Sequence, residues 1–221
     1  MHTKTGNLEA VIFDLDGVIV DTAKYHYEAW KQLADSEGTY FDKKINERLK
    51  GVSRMVSLSI IMERKCREYT LDELNRMAEK KNGIYVKMLE ELSDNEILPN
   101  IKEFICKLRD NGIKTAICSA SKNTGLIMEK LGIASLFDVI VTGNDTTMTK
   151  PHPQGFLLAA ERLRVHSCNC VIIEDAYAGI QAAVSAGMKS IGIGDPNQLD
   201  IADCVLPNTG ELSLEKVHLL F

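Results

Sequence analysis

Six short runs of apolar, largely β-branched residues recur along the chain, and helical patterns separate most of them; no other feature narrows the choice of fold as much. The runs are 10–13 (Ala-Val-Ile-Phe), 115–118, 139–141, 171–173, 190–193 and 204–206. Each is nearly continuous rather than alternating, which is how a strand buried on both faces reads. Ile101, Phe104, Ile105 and Leu108 recur at helical spacing ahead of Asn111-Gly112, and Leu126, Ile127, Lys130 and Leu131 do so ahead of Gly132. Residues 156–163 and 176–186 give two further helices, the second ending at Gly187. Strand followed by helix, repeated, means a parallel sheet with helices on its faces. The expected fold is α/β: a doubly wound parallel sheet of five or more strands.

One stretch breaks the rhythm. From Thr22 to Glu96 no strand pattern occurs, and apolar residues fall at three- and four-residue steps: Tyr27, Trp30, Leu33; Leu58, Ile61, Met62; Tyr85, Met88, Leu89, Leu92. A helical domain of roughly 75 residues, within the usual domain size range, is expected there as an insertion after the first strand. The division is then a core of 1–21 and 97–221 and an inserted helical domain of 22–96, with Leu98-Pro99 marking the return.

The net charge of −5 argues against broad binding of nucleic acid or an anionic membrane, though not against a small phosphorylated ligand. No run approaches the roughly 20 apolar residues of a membrane span, and the N-terminus carries no signal-like apolar segment. A cytoplasmic protein follows as the expectation, with no nucleic-acid or membrane partner. Its six cysteines should be reduced and mostly buried, and the single C-x-C at 168–170 is a poor zinc signal.

Two acidic pairs stand at strand ends. Asp14-Leu15-Asp16-Gly17 follows the first run, and Glu174-Asp175 follows 171–173. Open α/β sheets bind ligands at the carboxyl edge of the strands. Alternation along an extended chain sends Asp14 and Asp16 to one side, where they repel unless a cation intervenes or one of them is protonated. Taken alone, the first pair reads as readily as a strand-end turn, and the second as readily as a helix N-cap, as either does as a metal site. Both together at strand ends point to one shared hard cation such as Mg²⁺. Ser119-Ala120-Ser121-Lys122-Asn123 follows the run 115–118 and opens a helix, so its backbone N–H groups can hold an anion; simple capping by Ser119 or Ser121 is the alternative. Lys150-Pro151 supplies an ammonium on a constrained loop. A nucleophilic carboxylate, hydroxyl and amide donors, a lysine and a cation are what phosphoryl transfer requires.

In this order and strand context, Asp14–Val18, Ser119, Lys150-Pro151 and Glu174-Asp175 resemble the four signature motifs of the haloacid dehalogenase (HAD) superfamily, across the whole chain. The resemblance implies a HAD-like Rossmannoid core with an inserted helical cap domain. It implies Asp14 as nucleophile and Asp16 as general acid/base. Mg²⁺ would be held by Asp14, the Asp16 backbone carbonyl and Asp175, with Glu174 supporting or joining them. Ser119, the Ala120 amide and Lys150 would bind the transferring phosphoryl group. The cap segments 21–30, 49–54 and 80–87 resemble those of superfamily mutases that interconvert β-glucose 1-phosphate and glucose 6-phosphate through a β-glucose 1,6-bisphosphate. That resemblance places the distal phosphate on Arg54, Ser121, Lys122 and Asn123. It assigns the sugar site or hinge to Thr22, His26, Trp30, Gly51, Val52, Ser53, Lys81 and Asn82. A monomer acting on a small sugar phosphate is expected, and a HAD-type sugar-phosphate phosphatase is the alternative. A response-regulator receiver shares the strand-end aspartate and Mg²⁺ but lacks an insertion after the first strand. Two departures stand out: Gln154 replaces a usual aspartate, and Ala176-Tyr177 follows the second acidic pair, where a tyrosine could alter contacts around the metal.

Overall fold

The computed structural model describes residues 7–65 and 67–221. The chain enters through β1 (Ala10–Phe13) and passes into four helices: α1 (Ala23–Ser36), α2 (Lys43–Glu47), α3 (Arg54–Met62) and α4 (Leu71–Met88). It then alternates: α5 (Ile101–Asp110), β2 (Lys114–Cys118), α6 (Thr124–Leu131), β3 (Val139–Val141), α7 (Gln154–Leu163), β4 (Cys170–Glu174), α8 (Tyr177–Ser185), β5 (Lys189–Ile193), β6 (Cys204–Leu206) and α9 (Leu214–His218). The strands form one parallel sheet in the order β3-β2-β1-β4-β5-β6. All six apolar runs are strands of it.

The continuous apolar character of the runs has a plain cause. Along β1, Val11 and Phe13 pack on one side with α5, α6 and α9, while Ala10 and Ile12 pack on the other with α7 and α8. Both faces are covered, so neither residue parity can be polar. The helices bury one stripe each; in α5 it is Ile101, Phe104, Ile105 and Leu108. Gly132 closes α6 in the left-handed conformation, the usual cost-free end for a glycine.

The four helices after β1 have their own core, built around Trp30, Leu33, Phe41, Leu58, Ile61 and Met77. α2, α3 and α4 are each capped by a side chain, Asp42, Ser53 and Thr70, the last in a reciprocal capping box with Glu73. The outgoing and returning connections run side by side: the Asp21 N–H donates to the Glu96 carbonyl at 3.1 Å, and Leu98 to Ile19 at 2.9 Å.

Among the described residues no helix is long and apolar enough to cross a membrane. The thiols are less buried than expected. Cys118 and Cys170 are buried and Cys204 half-buried, but Cys106 and Cys168 are exposed, and all five are free. Cys106 falls off the buried stripe of α5, and Cys168 lies in the turn before β4. Cys66 lies outside the described residues.

Candidate active site

Parallel register gathers the expected residues at one edge. β1 lies between β2 and β4, with Phe13 level with Ile117 and Ile173. The residues that follow, Asp14, Ser119 and Glu174-Asp175, therefore leave the sheet together. Lys150 joins them from the loop after β3. This edge, where the strand order reverses about β1, is where open α/β sheets bind ligands.

Asp14, Glu174 and Asp175 each offer a carboxylate oxygen, all within 4.8 Å of one another. Asp14, Glu174 and Lys150 are buried. The Lys150 ammonium donates to the Asp14 carboxylate and, at 2.7 Å, to Glu174 Oε2. The other Glu174 oxygen accepts the N–H groups of Asp175 and Ala176, both at 3.1 Å. Two glycines make room: a Cβ at Gly17 (φ +85°) would stand 2.3 Å from the Asp175 carboxylate, and one at Gly179 2.0 Å from that of Glu174.

One ammonium does not balance three carboxylates. Burial pushes the Asp14 carboxyl well above the usual range; Lys150 opposes this, while Glu174, Asp16 and Asp175 add to it. Burial, then Glu174, lifts Asp175 to about 7. Carboxyl groups this reluctant to ionise mark a site short of positive charge. An all-oxygen donor set of this kind fits a hard divalent cation such as Mg²⁺.

Asp16 corrects one sequence expectation. Its carboxylate does not join Asp14 over a shared ion but stands apart from the cluster, accepting the hydroxyl of buried Thr22 and lying 3.7 Å from His26 Nε2. Period-two alternation holds only for extended backbone. Beyond Asp14 the chain turns through Gly17, whose N–H donates to the Val20 carbonyl at 2.9 Å. Burial alone would raise the Asp16 carboxyl, but His26, Thr22 and Lys81 outweigh it and hold the group below its ordinary value.

Behind Asp16 lies a cationic group from α1 and α4. His26 Nδ1 is 3.0 Å from Lys81 Nζ, and the His26 ring lies on that of Tyr85 at 4.2 Å. The Lys81 ammonium sits over the rings of Trp30 and Tyr85. Burial, reinforced by Arg54 and opposed by Asp16, lowers Lys81 to about 7. Burial and Lys81 lower His26 likewise. Trp30 itself is 3% exposed and belongs mainly to the helical core.

The serine loop also departs from the sequence reading. α6 begins only at Thr124, and neither serine caps it. Ser119 Oγ accepts from the Ser121 N–H and Ser121 Oγ from the Asn123 N–H, each at 3.1 Å, so the hydroxyls shape the loop instead.

A cavity of about 380 Å³ opens from the carboxylates. Of the residues singled out in the sequence, Asp14, Asp16, Asp175, Ser119, Ala120, Ser121, Lys122 and Asn123 line it from the core. His26, Trp30, Gly51, Val52, Ser53, Arg54 and Lys81 line it from the helices. Thr22, Asn82, Lys150 and Glu174 do not line it, though Lys150 and Glu174 reach the Asp14 carboxylate through the Lys150 ammonium. Ser53 is also the N-cap of α3. The sequence reading missed Asn46, Ser57, Asn75 and Glu79, and quoted Lys50 only as part of the segment 49–54. Spacing could have found three of them. Ser57 follows Arg54 by three residues on α3, and Asn75, Ala78, Glu79 and Asn82 share one face of α4.

Both departures have settled places. The Gln154 side-chain carbonyl accepts the N–H groups of Thr147 and Met148 at 3.1 and 2.7 Å, an acceptor's task that needs no charge. Tyr177 opens α8 directly after the acidic pair, is 45% exposed and does not line the cavity.

Fold and site define an α/β enzyme whose chemistry is placed at the carboxyl edge of a parallel sheet, beneath a helical insertion. The chain belongs to the haloacid dehalogenase-like hydrolases: the model of that family matches residues 8–187. It is 41% identical to the beta-phosphoglucomutase of Bacillus subtilis over 96% of this chain and 94% of that one. It is 32% identical to a phosphorylated carbohydrates phosphatase of Thermotoga maritima, over 83% and 84% of the two chains. Among solved structures, beta-phosphoglucomutase from Clostridium difficile superimposes with a TM-score of 0.93 at 45% identity, covering 96% of each chain.

Proposed function

We propose that this protein interconverts β-D-glucose 1-phosphate and glucose 6-phosphate, using Mg²⁺, an aspartyl-phosphate on Asp14 and a β-glucose 1,6-bisphosphate intermediate. The observation that carries the proposal is a single cavity lined at once by the Asp14–Asp175 end and by Arg54 and Lys122. A mutase must hold a bisphosphate in either orientation and so needs two anion sites; a phosphatase needs one. The relatives named as beta-phosphoglucomutases support the same reading.

In this reading Asp14 attacks the phosphoryl group and carries it. Ser119, the Ala120 N–H and Lys150 hold its oxygens. Asp14, the Asp16 carbonyl, Asp175 and Glu174 would hold Mg²⁺, which supplies the positive charge that phosphoryl transfer requires. Asp16, kept ionised by Thr22 and His26, takes the proton of the attacking sugar hydroxyl; in the reverse step it returns that proton to the leaving oxygen. Arg54, Ser121, Lys122 and Asn123 bind the distal phosphate, with Arg54 presenting a planar fork. Thr22, His26, Trp30, Gly51, Val52, Ser53 and Lys81 shape the sugar site and hinge. Residues 22–96 act as a cap over a core of 1–21 and 97–221, excluding water that would otherwise take the phosphoryl group. The protein is taken to work as a cytoplasmic monomer.

The test is a coupled assay with β-glucose 1-phosphate, a trace of bisphosphate and Mg²⁺. Glucose 6-phosphate should form, and the α-anomer should not react. Release of inorganic phosphate without glucose 6-phosphate would instead make the protein a sugar-phosphate phosphatase.

A further inference from the structure

The turn after β2 is stitched along one side to the chain that leaves β3. The Ser119 N–H donates to the Val141 carbonyl, and the Gly143 N–H to the Ser121 carbonyl, each at 3.0 Å. The pairing of β2 with β3, which ends with Cys118 level with Val141, thus carries on as single bonds into the serine turn.

At Gly143 the two backbones meet without a side chain between them. A Cβ there would stand 2.3 Å from the Ala120 carbonyl oxygen and 2.9 Å from its carbon. Gly143 is not among the glycines with left-handed backbone, so the position demands glycine for space and not for conformation. Its neighbour is backbone, which cannot swing aside as the end of a side chain can. Gly143 cannot retreat either. The Asp145 carboxylate accepts the Thr142 N–H and hydroxyl, both at 2.8 Å, and Arg162 on α7 donates to its other oxygen at 2.7 Å. Arg162, then Thr142, holds the Asp145 carboxyl down to about 2, so this tie lasts through neutral pH.

The peptide that Gly143 backs also orients the donors. Peptide units are planar, so the Ala120 carbonyl and the Ser121 N–H turn together. That N–H donates to Ser119 Oγ at 3.1 Å, which occupies an acceptor site of the hydroxyl and leaves its single proton to donate. Gly143 lines the cavity together with Ser119 and Ala120.

We infer that Gly143 is a positioning residue for phosphoryl transfer: its bare Cα backs the Ala120–Ser121 peptide and so aims the Ser119 hydroxyl and the Ala120 N–H at the phosphoryl group. The inference rests on the proposed roles of Ser119 and Ala120, and it does not depend on which sugar is acted on.

Acetyl phosphate with Mg²⁺ is a probe that lacks both sugar and distal phosphate. The Asp14 carboxylate oxygen bonds to phosphorus as the bond to acetate breaks, and the mass of the Asp14 peptide after an acid quench reports the rate. Gly143→Ala should slow this step on the order of tenfold or more per folded molecule, as expected when preorganised donors shift. Its Mg²⁺ affinity, measured by calorimetry, should stay at the wild-type value, because the carboxylates are untouched. Arg162→Ala, at an exposed position of α7, should fold and slow the step by a smaller factor, and Arg162→Lys should recover it. A glycine needed only for packing would lower the unfolding midpoint and leave the rate per folded molecule unchanged. A wild-type rate in folded Gly143→Ala overturns the inference, as does a parallel loss of rate and Mg²⁺ affinity. If Gly143→Ala does not fold, a wild-type rate in Arg162→Ala overturns it. If wild-type Asp14 takes phosphate from acetyl phosphate but no glucose 6-phosphate forms from β-glucose 1-phosphate, the mutase reading fails and the same rates still decide Gly143. If wild-type Asp14 takes no phosphate at all, the inference falls with the site it rests on.

Discussion

Asp175 and Asp14 stay reluctant to ionise because burial and their neighbours' charges act on them together, and that reluctance has a measurable counterpart. Burial, then Glu174, raises Asp175 to about 7, so without metal this carboxyl holds a proton below that pH. A divalent cation binds the ionised form, so its binding must displace the proton. Affinity for Mg²⁺ should therefore fall as pH drops below about 7 and level off above it. Calorimetry at pH 6 in buffers of different ionisation enthalpy should show proton release on Mg²⁺ binding. No release, with affinity flat from pH 6 to 8, would mean that these carboxylates do not hold the ion. Not every residue's placement was legible in the sequence. The acidic pairs, Ser119 and Lys150 were, because strand ends in a parallel sheet converge. The direction of the Asp16 side chain was not, because one turn at Gly17 cancels alternation and brings Asp16 to Thr22 and His26.

Among the elements, strands were the easiest to read. With both faces of the sheet covered, each shows as an unbroken apolar run, and β1, β3 and β6 fall on the runs marked in the sequence. The helices of the insertion were recognisable by spacing, but Asn75 and Glu79, on the face that α4 turns to the cavity, were not singled out, because spacing shows that residues share a face and not what the face meets. α4 also carries Lys81 into a nearly closed space, 3% exposed over two aromatic rings. Its folded value of about 7 lies below its ordinary 10.5. Between those limits the unfolded chain binds a proton that the folded one does not, so stability should rise with pH from about 7 toward 10.5. Lys81→Met should flatten that rise relative to wild type in urea unfolding at pH 7 and 9. An equal pH response in both proteins would place the lysine in water rather than over Trp30 and Tyr85.

At the scale of the whole molecule, the proposed reaction asks the sheet for the reactive edge and the insertion for the lid. Neither is sufficient for a mutase, because water competes with a sugar hydroxyl for the same phosphoryl group. The cavity shared by the two parts, with carboxylates at the sheet and Arg54 on the helices, is what the proposed reaction needs. Its existence could not be read from spacing, since it depends on how residues 22–96 fold back over the strand ends. The account stands or falls on the covalent carrier, and mass spectrometry of the protein mixed with β-glucose 1,6-bisphosphate and Mg²⁺, then quenched in acid, addresses it directly. The peptide containing Asp14 should carry one phosphoryl group, and Asp14→Asn should carry none while losing on the order of a thousandfold or more in turnover. A phosphoryl group found elsewhere, or turnover undiminished in Asp14→Asn, would contradict the account.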